Sequence, residues 1–205
     1  MIKNILHKIY RHLFPIKNSG KNNTIKIGKV NKKGLKITIC GNNNTILIGD
    51  NCRLWHLNIY LAGDNNTLIL ADGASFLGNS TVTQLSNSTV NIGKRTGIRG
   101  CNIVAKDANI TIGDNCMFSY GITIRNNDIH KIFDITTQST LNQPRDIKIA
   151  NHVWIAPNAT ILKGATIHDN SIIGANAVVT KECPQNSIMA GNPAKIVKQN
   201  INWDF

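Results

Sequence analysis

Short runs of aliphatic and polar residues return along most of this chain at a nearly fixed interval. Thr24-Ile25-Lys26-Ile27-Gly28 recurs as Thr45-Ile46-Leu47-Ile48-Gly49 and again as Thr67-Leu68-Ile69-Leu70-Ala71. Two further copies are Thr89-Val90-Asn91-Ile92-Gly93 and Asn109-Ile110-Thr111-Ile112-Gly113. Their fifth positions are separated by 21, 22, 22 and 20 residues. Past residue 148 the repeat tightens: Ile149, Ile155, Ile161, Ile167, Ile173 and Val179 stand at strict intervals of six. Neither a helix nor a simple strand has that period. It marks a parallel β-helix, in which each short strand turns one aliphatic side chain inward before a corner. The expected fold class is therefore all-β.

The corners read the same way. Gly41-Asn42-Asn43-Asn44, Gly63-Asp64-Asn65-Asn66 and Gly113-Asp114-Asn115 supply residues that tolerate left-handed backbone angles. Some of them spell glycosylation sequons, such as Asn43-Asn44-Thr45, but turn chemistry already accounts for them.

The ends differ from the middle. Ile2, Ile5, Leu6, Ile9, Tyr10, Leu13 and Phe14 fall at helical spacing among basic residues, and Pro15 limits the run. Residues 1–20 are expected to form an amphipathic helix that caps the open end of the solenoid. The alternative is an anchor that touches an anionic membrane through residues 1–17. Residues 21–190 form the β-helix, with an insertion at about 125–147, and residues 191–205 form a tail that folds back through Trp203 and Phe205.

Composition refines this picture. The 205 residues suit one domain, and only 5% are aromatic, so the interior is built from short aliphatic side chains. A net charge of +12 favours an anionic partner: nucleic acid, a membrane, a phosphorylated cofactor or an acidic glycan. Scarce aromatics and the lack of a recognised motif speak against nucleic acid. The cysteines, Cys40, Cys52, Cys101, Cys116 and Cys183, are odd in number and show no CxxC pair. They read as small buried hydrophobes in a reducing cytoplasm, not as a disulfide framework or metal site. No apolar run is long enough to span a bilayer, and no secretory cleavage site is seen. The expected location is the cytoplasm, at the inner face of the membrane if the first segment is an anchor.

Candidate chemistry lies where the repeat breaks. Between Gly113 and Ile149 the chain inserts the polar segment Arg125-Asn126-Asn127-Asp128-Ile129-His130. Long loops in solenoids are usually functional. A neutral imidazole suits general-base work near pH 7, so His130 is the candidate base, with Asp128 or Asp134 to orient its ring. His152, in the turn before Trp154, is the rival.

From about Asn109 to Lys198 the chain resembles the hexapeptide-repeat acyltransferases. The residues that carry the likeness are Ile149-Ala150-Asn151-His152-Val153-Trp154-Ile155-Ala156, Ile172 to Lys181, and Ala190-Gly191-Asn192-Pro193-Ala194-Lys195-Ile196-Val197. Within the family it looks most like the capsular polysaccharide and sialic acid O-acetyltransferases, whose pattern has a catalytic His and a Trp 24 residues later, the spacing of His130 and Trp154. The resemblance implies a left-handed β-helix, a homotrimer, acetyl-CoA as donor and sites between neighbouring prisms. It implies a sugar hydroxyl as acceptor, expected on an anionic polysaccharide or oligosaccharide. It places Trp154 at the acceptor or acetyl site and carries Ala175, Thr180 and Lys181 onto CoA-contacting positions. Gly174 beside them is small enough for a pantetheine arm. Lys195 and Lys198 are further candidates for the CoA phosphates, and a backbone N–H near Ala156 is the candidate oxyanion donor. N-acetylation of an amino sugar, an antibiotic-type acetyltransferase and a non-enzymatic scaffold are the competing readings.

Overall fold

Alternation within four- and five-residue strands sends every second side chain inward, and asparagine-rich corners then bend the chain by one side of a triangle. A computed structural model describes residues 16–204 and shows the result, a left-handed parallel β-helix. The helix expected at the start of the chain lies outside the described residues, apart from Ile16–Asn18, which is a strand. Three sheets form the three faces. The first and second faces hold eight strands each and the third holds nine, and as far as Ser187–Gly191 each sheet takes every third strand of the chain.

The register stacks like on like. On the second face, Ile27, Ile48, Leu70, Ile92, Ile112, Ile149, Ile167 and Cys183 form one inward ladder. The residues of the six-residue period visit the faces in turn: Ile149 on the second, Ile155 on the third, Ile161 on the first, and so on to Val179. All six are buried. Burying each such aliphatic side chain is worth roughly 1.5–3 kcal/mol.

The corners hold the stack in line. Asn43, Asn65 and Asn87 adopt left-handed backbone angles, with φ of 56°, 57° and 46°. Beneath them runs a buried polar ladder: Asn66 Nδ2 donates to Asn44 Oδ1 at 3.0 Å, and Ser88 Oγ donates to Asn66 Oδ1 at 2.9 Å. At the next corner a Cβ on Gly113 would stand 2.6 Å from the carbonyl carbon of Ala150 in the following coil, so close approach demands glycine there.

Among the described residues, Ile16–Asn18 is already a strand of the first face and pairs with Lys36–Ile39. At the other end Ala194–Gln199 folds back antiparallel on Ser187–Gly191 and closes the third sheet. No described helix is long and apolar enough to cross a membrane.

Candidate active site

The chain leaves the first face at the end of Ile122–Arg125 and rejoins the second at Ile147–Ile149. Ile147 still pairs with Ile110 and Ile149 with Ile112, so residues 126–146 project from the corner without disturbing the stack.

Two buried asparagines root this loop. Asn126 Nδ2 donates to the Ala108 carbonyl at 2.8 Å, and its Oδ1 accepts from the Lys106 N–H at 2.9 Å and from Asn127 Nδ2 at 2.9 Å. Asn127 Oδ1 in turn accepts from the Ile129 N–H at 3.2 Å. Ile129 sits at φ +65°, an unusual angle for a β-branched residue. Such strain costs about 1–3 kcal/mol and persists where the surroundings over-determine it. Its effect here is to turn the chain sharply and present His130 to solvent.

The loop is then tied to the next coil. Asn142 Nδ2 donates to the His130 carbonyl at 2.8 Å and to Asp128 Oδ2 at 2.9 Å. The Lys163 ammonium donates to the Asp128 carboxylate and, at 3.1 Å, to the Asn142 carbonyl. The hydrogen bond from Lys163 holds the Asp128 carboxyl below its ordinary range. Backbone N–H groups of Thr137 and Thr136 do the same for Asp134, which is spent on turning the loop. Neither carboxylate bonds the His130 imidazole among the described residues, so the expectation that one of them orients the ring is not met. Asp134 serves the loop backbone instead, and Asp128 holds the Lys163 and Asn142 side chains. A hollow of about 290 Å³ opens beside His130, lined also by Lys106, Asn127, Lys131 and Asn142.

Trp154 lies elsewhere, on the third face. Its partners in the ladder are Met117 and Ile172, so an apolar row faces outward there. The tail covers part of it. Trp203 stacks on His152, with ring centroids 4.2 Å apart and planes 12° apart, and its Nε1 donates to the His152 carbonyl at 2.9 Å. Trp203 also packs tilted against Trp154 at 6.1 Å. His152 Nδ1 pairs with Asn170 Oδ1 at 3.0 Å. The rival histidine is thus half-buried in a packed turn.

The candidate CoA residues divide between two edges of the prism. Ala156, Gly174 and Ala175 line the corner from the third face to the first. Thr180 and Lys181 are exposed at the first-to-second corner, on the same edge as the His130 loop and two coils further along. Lys195 and Lys198 are exposed on the returning strand, opposite Ala190 and Ile188. The Ala156 N–H donates to the Ile173 carbonyl at 2.9 Å, so it belongs to the ladder and is not an oxyanion donor. A Cβ on Gly174 would stand 2.8 Å from the Cβ of Ala190, so packing between coils already explains its small size.

The sequence alone singled out neither Lys163 nor Asn142, and it showed Asn126 only as part of the inserted segment. Lys163 follows an ordinary hexapeptide strand, Thr160–Leu162, and no motif marks it. Only its position one coil beyond the insertion pointed to it.

Comparison with known proteins agrees with this fold. The bacterial transferase hexapeptide (six repeats) family matches residues 146–181. The polysialic acid O-acetyltransferase of Neisseria meningitidis is 39% identical over 188 residues, 90% of this chain and 86% of that protein. Its namesake from Escherichia coli O1:K1 / APEC is 38% identical over 123 residues, 60% of this chain but only 40% of that longer protein. Among solved structures, the polysialic acid O-acetyltransferase OatWY superposes with a TM-score of 0.88 at 37% identity, covering 95% of this chain and 92% of its own. The polysialic acid acetyltransferase NeuO does so with 0.87 at 34%, covering 95% and 90%. The chain belongs to the hexapeptide-repeat acyltransferases and is an acetyl-CoA-dependent O-acetyltransferase of sugar hydroxyls.

Proposed function

We propose that the acceptor is a sialic acid polymer or a similarly anionic surface polysaccharide, and that the active site is shared between subunits of a homotrimer. The observation that carries the acceptor is the relationship to polysialic acid O-acetyltransferases along nearly the whole chain.

His130 and Trp154 support the shared site by being apart. One stands on the loop at the first-to-second corner and the other on the third face. Ala156, Gly174 and Ala175 are likewise on a different edge from Thr180 and Lys181. A neighbouring prism is the economical way to bring the two sets together. The outward apolar row of Met117, Trp154 and Ile172 suits subunit packing.

In this mechanism the neutral His130 imidazole takes the proton of the acceptor hydroxyl as its oxygen attacks the thioester carbonyl of acetyl-CoA. The tetrahedral oxyanion collapses, the carbon–sulfur bond breaks, and the proton held by His130 passes to the leaving thiolate. An ester and free CoA result. Lys181 meets a CoA phosphate, and Trp154 shapes the wall around the acetyl or acceptor group. The five free thiols fit a reducing compartment, and the cytoplasm is the proposed location.

Labelled acetyl-CoA offered with a sialic acid oligomer, a neutral galactoside and an amino sugar tests the acceptor. Alkali-labile label on the sialic acid oligomer is the expected result. Preference for the neutral galactoside or alkali-stable label on the amino sugar contradicts it. Mixing inactive His130→Ala with inactive Trp154→Ala chains under subunit exchange tests the sharing, because only a site built from two chains regains activity.

A further inference from the structure

The positive charge of this protein is not spread evenly, and it is not concentrated at the active site. Ten of the 23 Lys and Arg, and none of the 11 Asp and Glu, fall in the first 49 residues. The rest of the chain, from Asp50 on, is nearly neutral, with 13 basic against 11 acidic residues.

Among the described residues, the fold arranges seven of those ten as a ring. Lys17 lies in the first strand of the first face, Lys26 in that of the second, and Lys32 and Lys33 in that of the third. Lys21 and Lys29 occupy the corners between them, and Lys36 opens the second coil. Every one of these side chains is exposed. The lysines therefore surround the perimeter of one end of the prism. They do not form a stripe along its axis.

We infer that this end of the prism docks on a planar surface of anionic lipid. A polyanionic chain is followed by a stripe of cations, whereas a flat anionic surface is met by cations all around an end face. Lysines near such a surface each add to binding, and the attraction decays within a Debye length. Charge alone holds reversibly, and stable attachment needs a second, apolar contribution. The same end supplies candidates: Ile16 is 42% exposed, and the sequence just before it carries Ile2, Ile5, Leu6, Ile9, Leu13 and Phe14. Docked end-on, the prism holds the His130 loop five strand spacings above the first coil. That is about 24 Å, clear of the headgroups and open to a polymer running over the membrane.

The test is co-sedimentation of the full chain with phosphatidylcholine vesicles, with or without phosphatidylglycerol as a minority lipid. The wild type is compared with K21Q/K29Q/K33Q/K36Q, whose fold is checked by far-ultraviolet circular dichroism and thermal unfolding. The expected result is wild-type binding to the anionic vesicles only, lost at about 1 M salt. Partitioning of the folded variant should be at least about tenfold weaker. Equal wild-type binding to neutral vesicles overturns the inference. So does a variant that keeps wild-type vesicle binding, whether or not it loses retention on a sialic acid polymer.

Discussion

Lys163 and Asp128 form an ion pair across 35 positions of sequence, and this pair ties the loop that presents His130 to the following coil of the prism. The strained angle at Ile129 and the two hydrogen bonds from Asn142 complete the clamp. A general base contributes only when it is held in reach of the proton it removes, so with His130 as the proposed base this clamp is proposed to position it, although it touches no reacting atom.

Lys163→Met should therefore lower kcat by about ten- to a hundred-fold while leaving the KM for acetyl-CoA nearly unchanged, since a small misplacement of a catalytic group is costly. Lys163→Arg should recover part of the loss. Steady-state kinetics with both substrates varied give the split. A pure KM effect would assign Lys163 to substrate binding instead.

Asp128 gives a direct report on the same clamp. Its carboxyl is held below the ordinary value of 3.8, the hydrogen bond from Lys163 being the largest cause. A depressed carboxylate contributes stability that is complete above its unfolded value, near 4, and is lost as pH falls through the folded value. The loop should thus stay ordered at neutral and mildly acidic pH and loosen only below about pH 4. Carboxyl NMR titration should place Asp128 below its ordinary value in the wild type and return it toward that value in Lys163→Met. An ordinary titration in the wild type would contradict the clamp.

The thiols should separate by burial. Cys40 is exposed, whereas Cys52, Cys101, Cys116 and Cys183 are buried inside the prism. Burial pushes the Cys116 thiol up to about 11 and raises the Cys101 thiol strongly. A thiol-specific reagent at neutral pH should modify one cysteine quickly in the folded protein and all five after denaturation. Rapid reaction of Cys101 or Cys116 would mean that the coils open far more readily than their packing implies.

Much of this was legible in the sequence, for a physical reason. A solenoid repeats one local environment, so the six-residue spacing of Ile149 to Val179 and the Asn-rich corners each report the same geometry many times over. The insertion at 126–146 was visible because it broke that repeat. What could not be read were contacts between coils at positions without a repeat signature. Lys163 looks like any corner lysine until the loop folds over it. Gly174 looked like room for a substrate, yet Ala190 fills the space beside it. The net charge was equally misleading as a sum, because a total of +12 does not say that seven lysines ring the first described coil, far from His130.

His130 is the proposed base, and kcat of His130→Ala with acetyl-CoA and a sialic acid acceptor tests that role most directly. It should fall by on the order of a hundred-fold or more, with the KM for acetyl-CoA little changed and the ascending limb of the pH–rate profile abolished. His152→Ala, whose ring is packed under Trp203, should retain turnover. Near-normal turnover in His130→Ala together with a dead His152→Ala would contradict the mechanism and move the chemistry to the turn beside Trp154.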